Sequence, residues 1–135
     1  MDVDCFTGKI FTRVYEHYPD NFTFEFSEFK LAVECMWRIK VDGRVVLASR
    51  DHGQQFGLLT QVDAYSEAKS HLQQCCIVVA RLDEASADLT LEVENGRRLE
   101  IITDSSGYEP WSLMGPGIHM IALGGGGISD LSSKD

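Results

Sequence analysis

The chain has 135 residues, of which 44% are hydrophobic and 24% are charged. This composition excludes an intrinsically disordered chain, and the length supports one stable domain without a disulfide or a structural metal. The 21 acidic residues outnumber the 12 lysines and arginines and give a formal net charge of −9. This balance argues against a nucleic-acid partner, because phosphate binding needs clustered basic side chains.

The N-terminal sequence and the cysteines both bear on the compartment. No apolar run approaches the roughly 20 residues of a membrane span, and residues 1–4 are acidic where a signal peptide would be basic. We therefore expect a cytoplasmic protein that contacts no membrane. In a reducing cytosol we expect Cys5, Cys35, Cys75 and Cys76 to be free thiols. The last two are adjacent, which is not the spacing with which two thiolates converge on one zinc ion.

Apolar and polar residues alternate in the first fifty residues, as is typical of β-strands with one buried face. Phe22, Phe24 and Phe26 share one predicted face, and Glu25 lies on the opposite, exposed face. An apolar run precedes this strand. A second strand, a tryptophan and, six residues later, a glycine follow it. Residues 1–50 are therefore predicted to form the first β half of the domain.

Residues 51–75 change character, because apolar residues recur at spacings of three and four between residues 56 and 72. This period predicts a helix that ends near Gln74, formed either as one helix or as two helices joined at Asp63. We expect this helical connection to pack on the sheet.

The second half, residues 76–127, repeats the pattern of the first. Leu89, Leu91 and Val93 repeat the three phenylalanines 67 residues later, and the second strand, the tryptophan and the glycine follow in the same order. We interpret the pattern as a duplication, in which two β-meander halves are related by pseudo-two-fold symmetry and residues 105–110 are inserted in the second half. Chance similarity between amphipathic strands is the alternative.

These elements predict a single domain, residues 1–135, with an α+β fold: a mostly antiparallel sheet from two pseudo-repeated meanders, with the helical connection packed on it. The glycine-rich segment 124–127 is expected to form tight turns and close packing. A phosphate-binding loop is disfavoured, because no Lys-Ser or Lys-Thr pair follows the glycines. Residues 128–135 are expected to be a flexible tail.

No arrangement of residues indicates catalysis or metal binding. No two of the four histidines lie four residues apart, as a metal-binding pair on a helix would. The chain also has no Gly-x-Ser-x-Gly segment, which would indicate a serine hydrolase. We therefore predict no catalytic residue, no cofactor and no metal site, and we expect that the protein is not an enzyme.

Residues 83–109 carry eight acidic residues against two arginines, a net charge of −6. One interpretation is a solvated surface that keeps the protein in solution, and the other is an acidic surface that docks a basic protein. The segment 104–111 adds Tyr108 and Trp111, and aromatic residues flanked by acids are typical of protein-binding hot spots. Trp111 has the alternative role of filling the end of the core. The predicted partner-binding residues are Glu92, Glu94, Asp104, Tyr108 and Glu109.

Three C-terminal motifs resemble those of a widespread bacterial family of small uncharacterised proteins. They are Tyr-Glu-Pro-Trp-Ser-Leu at 108–113, Gly-Pro-Gly at 115–117 and Ala-Leu-Gly-Gly-Gly at 122–126. The resemblance covers nearly the whole chain, but its motifs are structural and carry no catalytic residue. Similar small acidic proteins often occur as the immunity partners of secreted polymorphic or contact-dependent toxins. This link is an association with a class of proteins, and the family itself implies no single activity.

The leading hypothesis is a cytoplasmic acidic binding protein, an immunity protein that neutralises a basic bacterial toxin by occluding its active site. The alternatives are a housekeeping or regulatory domain, homodimeric through a strand edge, and a small enzyme of unknown reaction. The sequence predicts neither the oligomeric state nor which toxin is bound.

Overall fold

A computed structural model describes residues 3–132, which contain eleven β-strands and one α-helix. The strands of the first half are β1 (Phe11–Tyr15), β2 (Phe22–Phe26), β3 (Phe29–Val33), β4 (Met36–Val41) and β5 (Arg44–Ala48). The helix α1 (Ala64–Leu72) joins the two halves. The strands of the second half are β6 (Ile77–Asp83), β7 (Asp88–Val93), β8 (Arg97–Ile102), β9 (Trp111–Gly115), β10 (Ile118–Ala122) and β11 (Ile128–Asp130).

The strands form two antiparallel sheets. Sheet A has six strands in the order β1-β2-β3-β9-β10-β11, and sheet B has five in the order β5-β4-β8-β7-β6. The first three strands of each half therefore form a meander in one sheet, and the next two cross to the other sheet. The predicted α+β fold with pseudo-repeated meanders is confirmed, and the two halves are interleaved because each completes the sheet of the other.

The register of the strand pairs repeats between the sheets. Trp37 of β4 lies opposite Ile101 of β8. Trp111 of β9 lies opposite Val33 of β3. Val33 and Ile101 are equivalent positions in the sequence repeat, so the two tryptophans occupy equivalent places, as the predicted duplication requires.

The two halves meet at equivalent residues. Ile10 and Cys76, which directly precede β1 and β6, form an antiparallel bridge, as two residues related by a pseudo-two-fold axis would. The pairing then becomes irregular at Thr12 in β1 and at Val78 in β6, two residues beyond the bridge in each case. A repeated backbone irregularity does not depend on apolar alternation, so it is separate support for the duplication.

One hydrophobic core lies between the sheets, and the strand residues predicted to form it are all buried: Phe22, Phe24, Phe26, Leu89, Leu91 and Val93. The rings of Phe22 and Phe24 in sheet A contact the ring of Trp37 in sheet B, at centroid distances of 4.9 and 5.2 Å. Glu25 and Glu92 lie on the outer faces, as the alternation predicts. They are half-buried rather than exposed, because each pairs with an arginine on a neighbouring strand.

The connection between the halves contains a shorter helix than the sequence predicts. The side chain of Asp63 accepts two backbone N–H groups and caps α1, so the helix begins at Ala64 and residues 54–62 form a loop. The prediction of a helix before Asp63 is wrong, because most apolar side chains there face solvent instead of sharing a buried stripe. Within α1, Ala64, Ala68 and Leu72 are buried, and the helix contacts the edge strands β1 and β5.

The C-terminal segment contains a strand that the sequence analysis did not predict. β11 pairs with β10 and forms an edge of sheet A, so the expected flexible tail is wrong for those residues, whereas residues 133–135 lie outside the described residues. The glycine run packs closely, as predicted. A Cβ atom on Gly126 would overlap the carbonyl oxygen of Ala85, and one on Gly124 would lie 2.5 Å from the carbonyl carbon of Gly107.

Candidate functional site

The five partner-binding residues predicted from the sequence lie at opposite ends of sheet B. Glu92 and Glu94 lie beside the turn that joins β7 to β8, whereas Asp104, Tyr108 and Glu109 follow the far end of β8. The six residues of β8 separate the two ends, which corresponds to about 20 Å of extended strand. The structure therefore does not bring the five residues into one docking surface.

Glu92 and Glu94 are engaged within the fold. The carboxylate of Glu92 lies 2.7 Å from Arg98 and 3.8 Å from Arg81. Oε1 of Glu94 accepts a hydrogen bond from the backbone N–H of Cys76 at 2.6 Å. Both carboxylates thus connect neighbouring strands of sheet B and have a structural role there.

The ion-pair network on the outer face of sheet B contains more basic than acidic side chains. Glu92 and Glu100 are its two carboxylates. Their basic partners are Arg38, Lys40, Arg81 and Arg98. The acidic surface predicted from residues 83–109 does not form on this face. The neighbouring strands β4 and β6 contribute basic side chains, which a count of charges over residues 83–109 leaves out.

Asp104, Tyr108 and Glu109 instead line a cleft of about 580 Å³ on the outer face of sheet A. Ala32 of β3 and Ser112 of β9 lie side by side in its floor. The other lining residues are Tyr18, Glu34, Ser105, Trp111, His119 and Ile121. We call this site the acidic cleft, after its three carboxylates: Glu34, Asp104 and Glu109.

The acidic cleft is open because its floor residues are small. At the equivalent positions of sheet B, Glu100 of β8 lies opposite Arg38 of β4, and the two side chains form an ion pair at 2.5 Å. In sheet A, Ala32 and Ser112 occupy these two positions. The duplicated backbone thus carries an ion pair on one sheet and a recess on the other.

Hydrogen bonds hold the two chain crossings side by side at the edge of the cleft. The segment 103–110 crosses from β8 to β9, next to the shorter crossing from β3 to β4. The backbone N–H of Glu34 donates to the carbonyl of Pro110 at 2.8 Å. Oδ2 of Asp104 accepts from the backbone N–H of Met36 at 3.2 Å. These bonds bring Glu34 and Asp104, which are 70 residues apart in sequence, to the same site.

Two tyrosines line the acidic cleft with much of their surface exposed. The side chain of Tyr108 is 82% exposed, and its backbone N–H donates to Oγ of Ser105 at 3.0 Å, which fixes the chain at that point. Tyr18 is 47% exposed and lines the same cleft. Tyrosine offers a large contact area with few rotatable bonds, so these rings suit the edge of a binding surface.

The three carboxylates of the acidic cleft have no ion-pair partner within residues 3–132. Four carboxylates elsewhere on the strands and turns, by contrast, pair with lysine or arginine: Glu25, Glu28, Glu92 and Glu100. Burial raises the pKa of the Glu34 carboxyl above its ordinary value, and Asn21 donates a hydrogen bond to it at 3.2 Å. A cation placed in the cleft would offset this effect, because a nearby positive charge favours the ionised carboxylate.

A second recess, of about 540 Å³, adjoins the acidic cleft and shares Glu34 and Asp104 with it. Asp20 adds a further carboxylate to its lining, which also includes Arg50 and His52. The two recesses make a continuous concave surface at the end of the sandwich where the chain crosses between the sheets.

Cys35 lies beneath this surface. Burial and the nearby carboxylate of Asp104 raise the pKa of its thiol to about 12, so the thiol stays protonated at neutral pH. Within residues 3–132, no cysteine forms a disulfide; Cys35 is buried, whereas the other three cysteines are half-buried.

His119 lines the acidic cleft together with Ser112. Within residues 3–132, no hydrogen bond joins its ring to a serine hydroxyl or a carboxylate, so a nucleophile paired with a base is not formed there. In the same part of the chain, no three His, Cys, Asp or Glu side chains lie close enough together to hold a metal ion.

The sequence analysis missed Glu34 and the two floor residues of the cleft. A signal for the floor was present in the repeat, because aligning the halves matches Ala32 with Glu100 and Ser112 with Arg38. In this alignment, two small residues of sheet A match two charged residues of sheet B. The mismatch marks the place where the outer surfaces of the two sheets differ. Glu34 had no such signal, because it lies in a crossing whose counterpart carries the insertion.

Comparisons of the chain with protein-family models, with curated protein sequences and with solved structures found no match. The resemblance of residues 108–126 to a bacterial family therefore stays a prediction. Of residues 3–132, none belongs to a helix that is long and apolar enough to cross a membrane.

Proposed function

We propose that this protein binds a basic partner protein through the acidic cleft. The observation that carries the proposal is the group of carboxylates that have no ion-pair partner within residues 3–132, Glu34, Asp104 and Glu109, beside a floor of small residues. Lysine or arginine side chains of the partner would enter the recess and pair with these carboxylates. Tyr18 and Tyr108 would pack on the partner around them, and the complementary charge would speed association and fix orientation.

We further propose that the partner is a basic bacterial toxin domain and that the protein acts in the cytoplasm as its immunity protein. The net charge of −9 and the resemblance of the C-terminal motifs to small bacterial proteins support this finer assignment. The mechanism is occlusion, in which the acidic cleft covers basic residues around the toxin's active site. The hydrogen-bonded crossings support this mechanism, because a surface that is ordered before binding loses little entropy on association.

A matched pair of variants tests the role of the cleft. The partner is isolated on the immobilised protein and purified, and association is then measured at two salt concentrations. The cleft variant carries Glu34→Gln, Asp104→Asn and Glu109→Gln. The control carries Glu28→Gln, Asp42→Asn and Glu67→Gln, which remove the same charge from exposed positions outside the cleft.

We expect the cleft variant to bind at least about tenfold more weakly, with a slower association rate and a weaker salt dependence. The control should bind as the unmodified protein does. An equal loss of binding in the cleft variant and the control would mean that binding depends only on the total charge of the protein. Unchanged binding by the cleft variant would place the docking surface elsewhere.

A further inference from the structure

The loop between β5 and α1 exposes apolar side chains in a segment without charge. Residues 53–62, which we call the apolar loop, contain no acidic or basic residue, although charged residues make up 24% of the chain. Phe56 is 66% exposed, Leu58 is 56% exposed and Leu59 is 100% exposed. Exposed apolar groups of this size, clustered within four residues, mark sites of interaction.

Hydrogen bonds at the base of the apolar loop hold its shape. The N–H of Gly53 donates to the carbonyl of Val62 at 2.8 Å, and the N–H of Val62 donates to the carbonyl of Gln54 at 2.7 Å. Near the tip, the N–H of Leu58 donates to the carbonyl of Gln55 at 2.7 Å. The side chain of Gln55 also donates to the carbonyl of Leu58 at 2.8 Å. The tip is therefore ordered in the unbound protein.

The backbone at Phe56 adds a separate observation. Its φ is +48°, in the left-handed region that glycine and asparagine adopt more easily than an aromatic residue. A strained residue whose side chain is two-thirds exposed gains little from packing within its own chain. Strain of this kind is concentrated at sites where the side chain has a function.

The base of the apolar loop adjoins the second recess, which shares Glu34 and Asp104 with the acidic cleft. His52, which directly precedes the loop, lines the second recess together with Glu34 and Asp104. Its Nδ1 accepts the backbone N–H of Ala64, which directly follows the N-cap of α1. A molecule that covers the acidic cleft and this recess would therefore also reach the base of the loop.

We infer that the apolar loop is a second contact for the same partner, and that Phe56 and Leu59 insert into an apolar pocket on that partner's basic surface. This inference rests on the proposed function. Three side chains are too few for a stable dimer, in which each partner contributes roughly 20 residues. An anionic membrane is disfavoured because carboxylates flank the loop and the chain carries a net charge of −9. A basic protein with an apolar pocket matches both the loop and the cleft.

The test uses the purified partner and two double variants of the full chain. The loop variant carries Phe56→Asn and Leu59→Ser, since asparagine tolerates a positive φ and the fold should be retained. The control carries Val45→Ser and Val78→Ser, two valines exposed to a similar degree in sheet B. Sedimentation of the unmodified chain over a range of concentrations, and its binding to vesicles of phosphatidylglycerol and phosphatidylcholine, are measured alongside.

We expect the loop variant to raise the Kd for the partner at least about tenfold, mainly through faster dissociation, and the control to leave it unchanged. Normal binding by the loop variant, with loss in the cleft variant, would overturn this inference and leave the proposed function standing. If neither the loop variant nor the cleft variant lost binding, or if no captured protein depended on the cleft, both this inference and the proposed function would be overturned. A dimer or vesicle binding that disappears in the loop variant would assign the loop to a second copy or to a membrane.

Discussion

The two sheets share one backbone plan and differ in what they present to solvent. In sheet B, Arg38 and Glu100 fill the middle of the outer face with an ion pair. In sheet A, the equivalent positions hold Ser112 and Ala32, and a cleft is open there, bordered by carboxylates that form no ion pair within the described part of the chain. The repeated strand pattern thus provides its own comparison, because the ion pair of sheet B occupies the positions that are recessed in sheet A.

The two tryptophans make a similar comparison inside the core. Trp37 and Trp111 lie at equivalent places and are both fully buried. Nε1 of Trp111 donates to the carbonyl of Ala87 at 2.8 Å, whereas Nε1 of Trp37 has no hydrogen-bond partner within residues 3–132. The symmetry therefore holds for the backbone and for packing, and it fails for this polar contact.

The largest expected effect is on stability, and it tests whether equivalent core residues of the two halves stabilise the fold to the same degree. Leu31 and Leu99 are equivalent and fully buried, so Leu31→Ala and Leu99→Ala should each lower the free energy of unfolding by about 2–5 kcal/mol. Urea denaturation measures both variants. A loss below about 1 kcal/mol in one of them would mean that the two sheets do not share one core.

Replacing the two tryptophans should have a smaller effect on stability. Trp111→Phe should lower stability more than Trp37→Phe, by about 1–3 kcal/mol, because it leaves the carbonyl of Ala87 without its buried donor. Thermal or urea unfolding of the two variants measures the difference. Equal losses would show that Nε1 of Trp37 finds an equivalent acceptor in solution.

The smallest expected effect is the difference in how Glu100 and Glu34 change the stability of the protein as the pH changes. Burial opposes ionisation of Glu100, but hydrogen bonds from Arg38 and Lys40 outweigh it and lower the pKa, whereas burial raises the pKa of Glu34. Ionised Glu100 therefore adds stability above its ordinary pKa of 4.5, and this stability is lost as the pH falls through the lowered value. For Glu34, stability is greatest below 4.5 and is lost as the pH rises through the raised value.

Glu100→Gln should consequently lower stability at pH 7, and Glu34→Gln should leave it unchanged or raise it by no more than about 0.5 kcal/mol. The lower stability of Glu100→Gln should disappear well below pH 4.5, where the carboxyl is protonated. Urea denaturation at pH 7 and pH 3 measures these differences. A destabilised Glu34→Gln at pH 7 would mean that Glu34 serves stability rather than binding.

Much of the fold was predictable because alternation reports directly which side chains are buried. Phe24 and Leu91 needed no more than this pattern, and the spacing of tryptophan and glycine predicted the repeat of the two halves. The exchange of hairpins between the sheets was not predictable in this way. Alternation assigns a residue to a face but does not say which strand lies beside it.

The site was less predictable than the fold, because a count of charges along the chain ignores neighbours in space. Asp104, Tyr108 and Glu109 were predicted from the sequence and line the same cleft, whereas Glu92 lies among arginines that other strands provide. The apolar loop was interpreted as helix for a related reason. Spacings of three and four also occur in a loop, and the cap at Asp63 decides where the helix begins.

Reciprocal grafting of the two surfaces tests the central claim most directly. The graft variant carries Ala32→Glu and Ser112→Arg, which place the ion pair of sheet B in the floor of the acidic cleft. The reciprocal variant carries Glu100→Ala and Arg38→Ser, which remove that pair from sheet B. The measurement is the Kd of each variant for the purified partner, after circular dichroism has shown that both fold. We predict that the graft variant loses binding at least about tenfold and that the reciprocal variant binds normally. Normal binding by the graft variant, or loss in the reciprocal variant alone, would contradict the assignment of function to the cleft of sheet A.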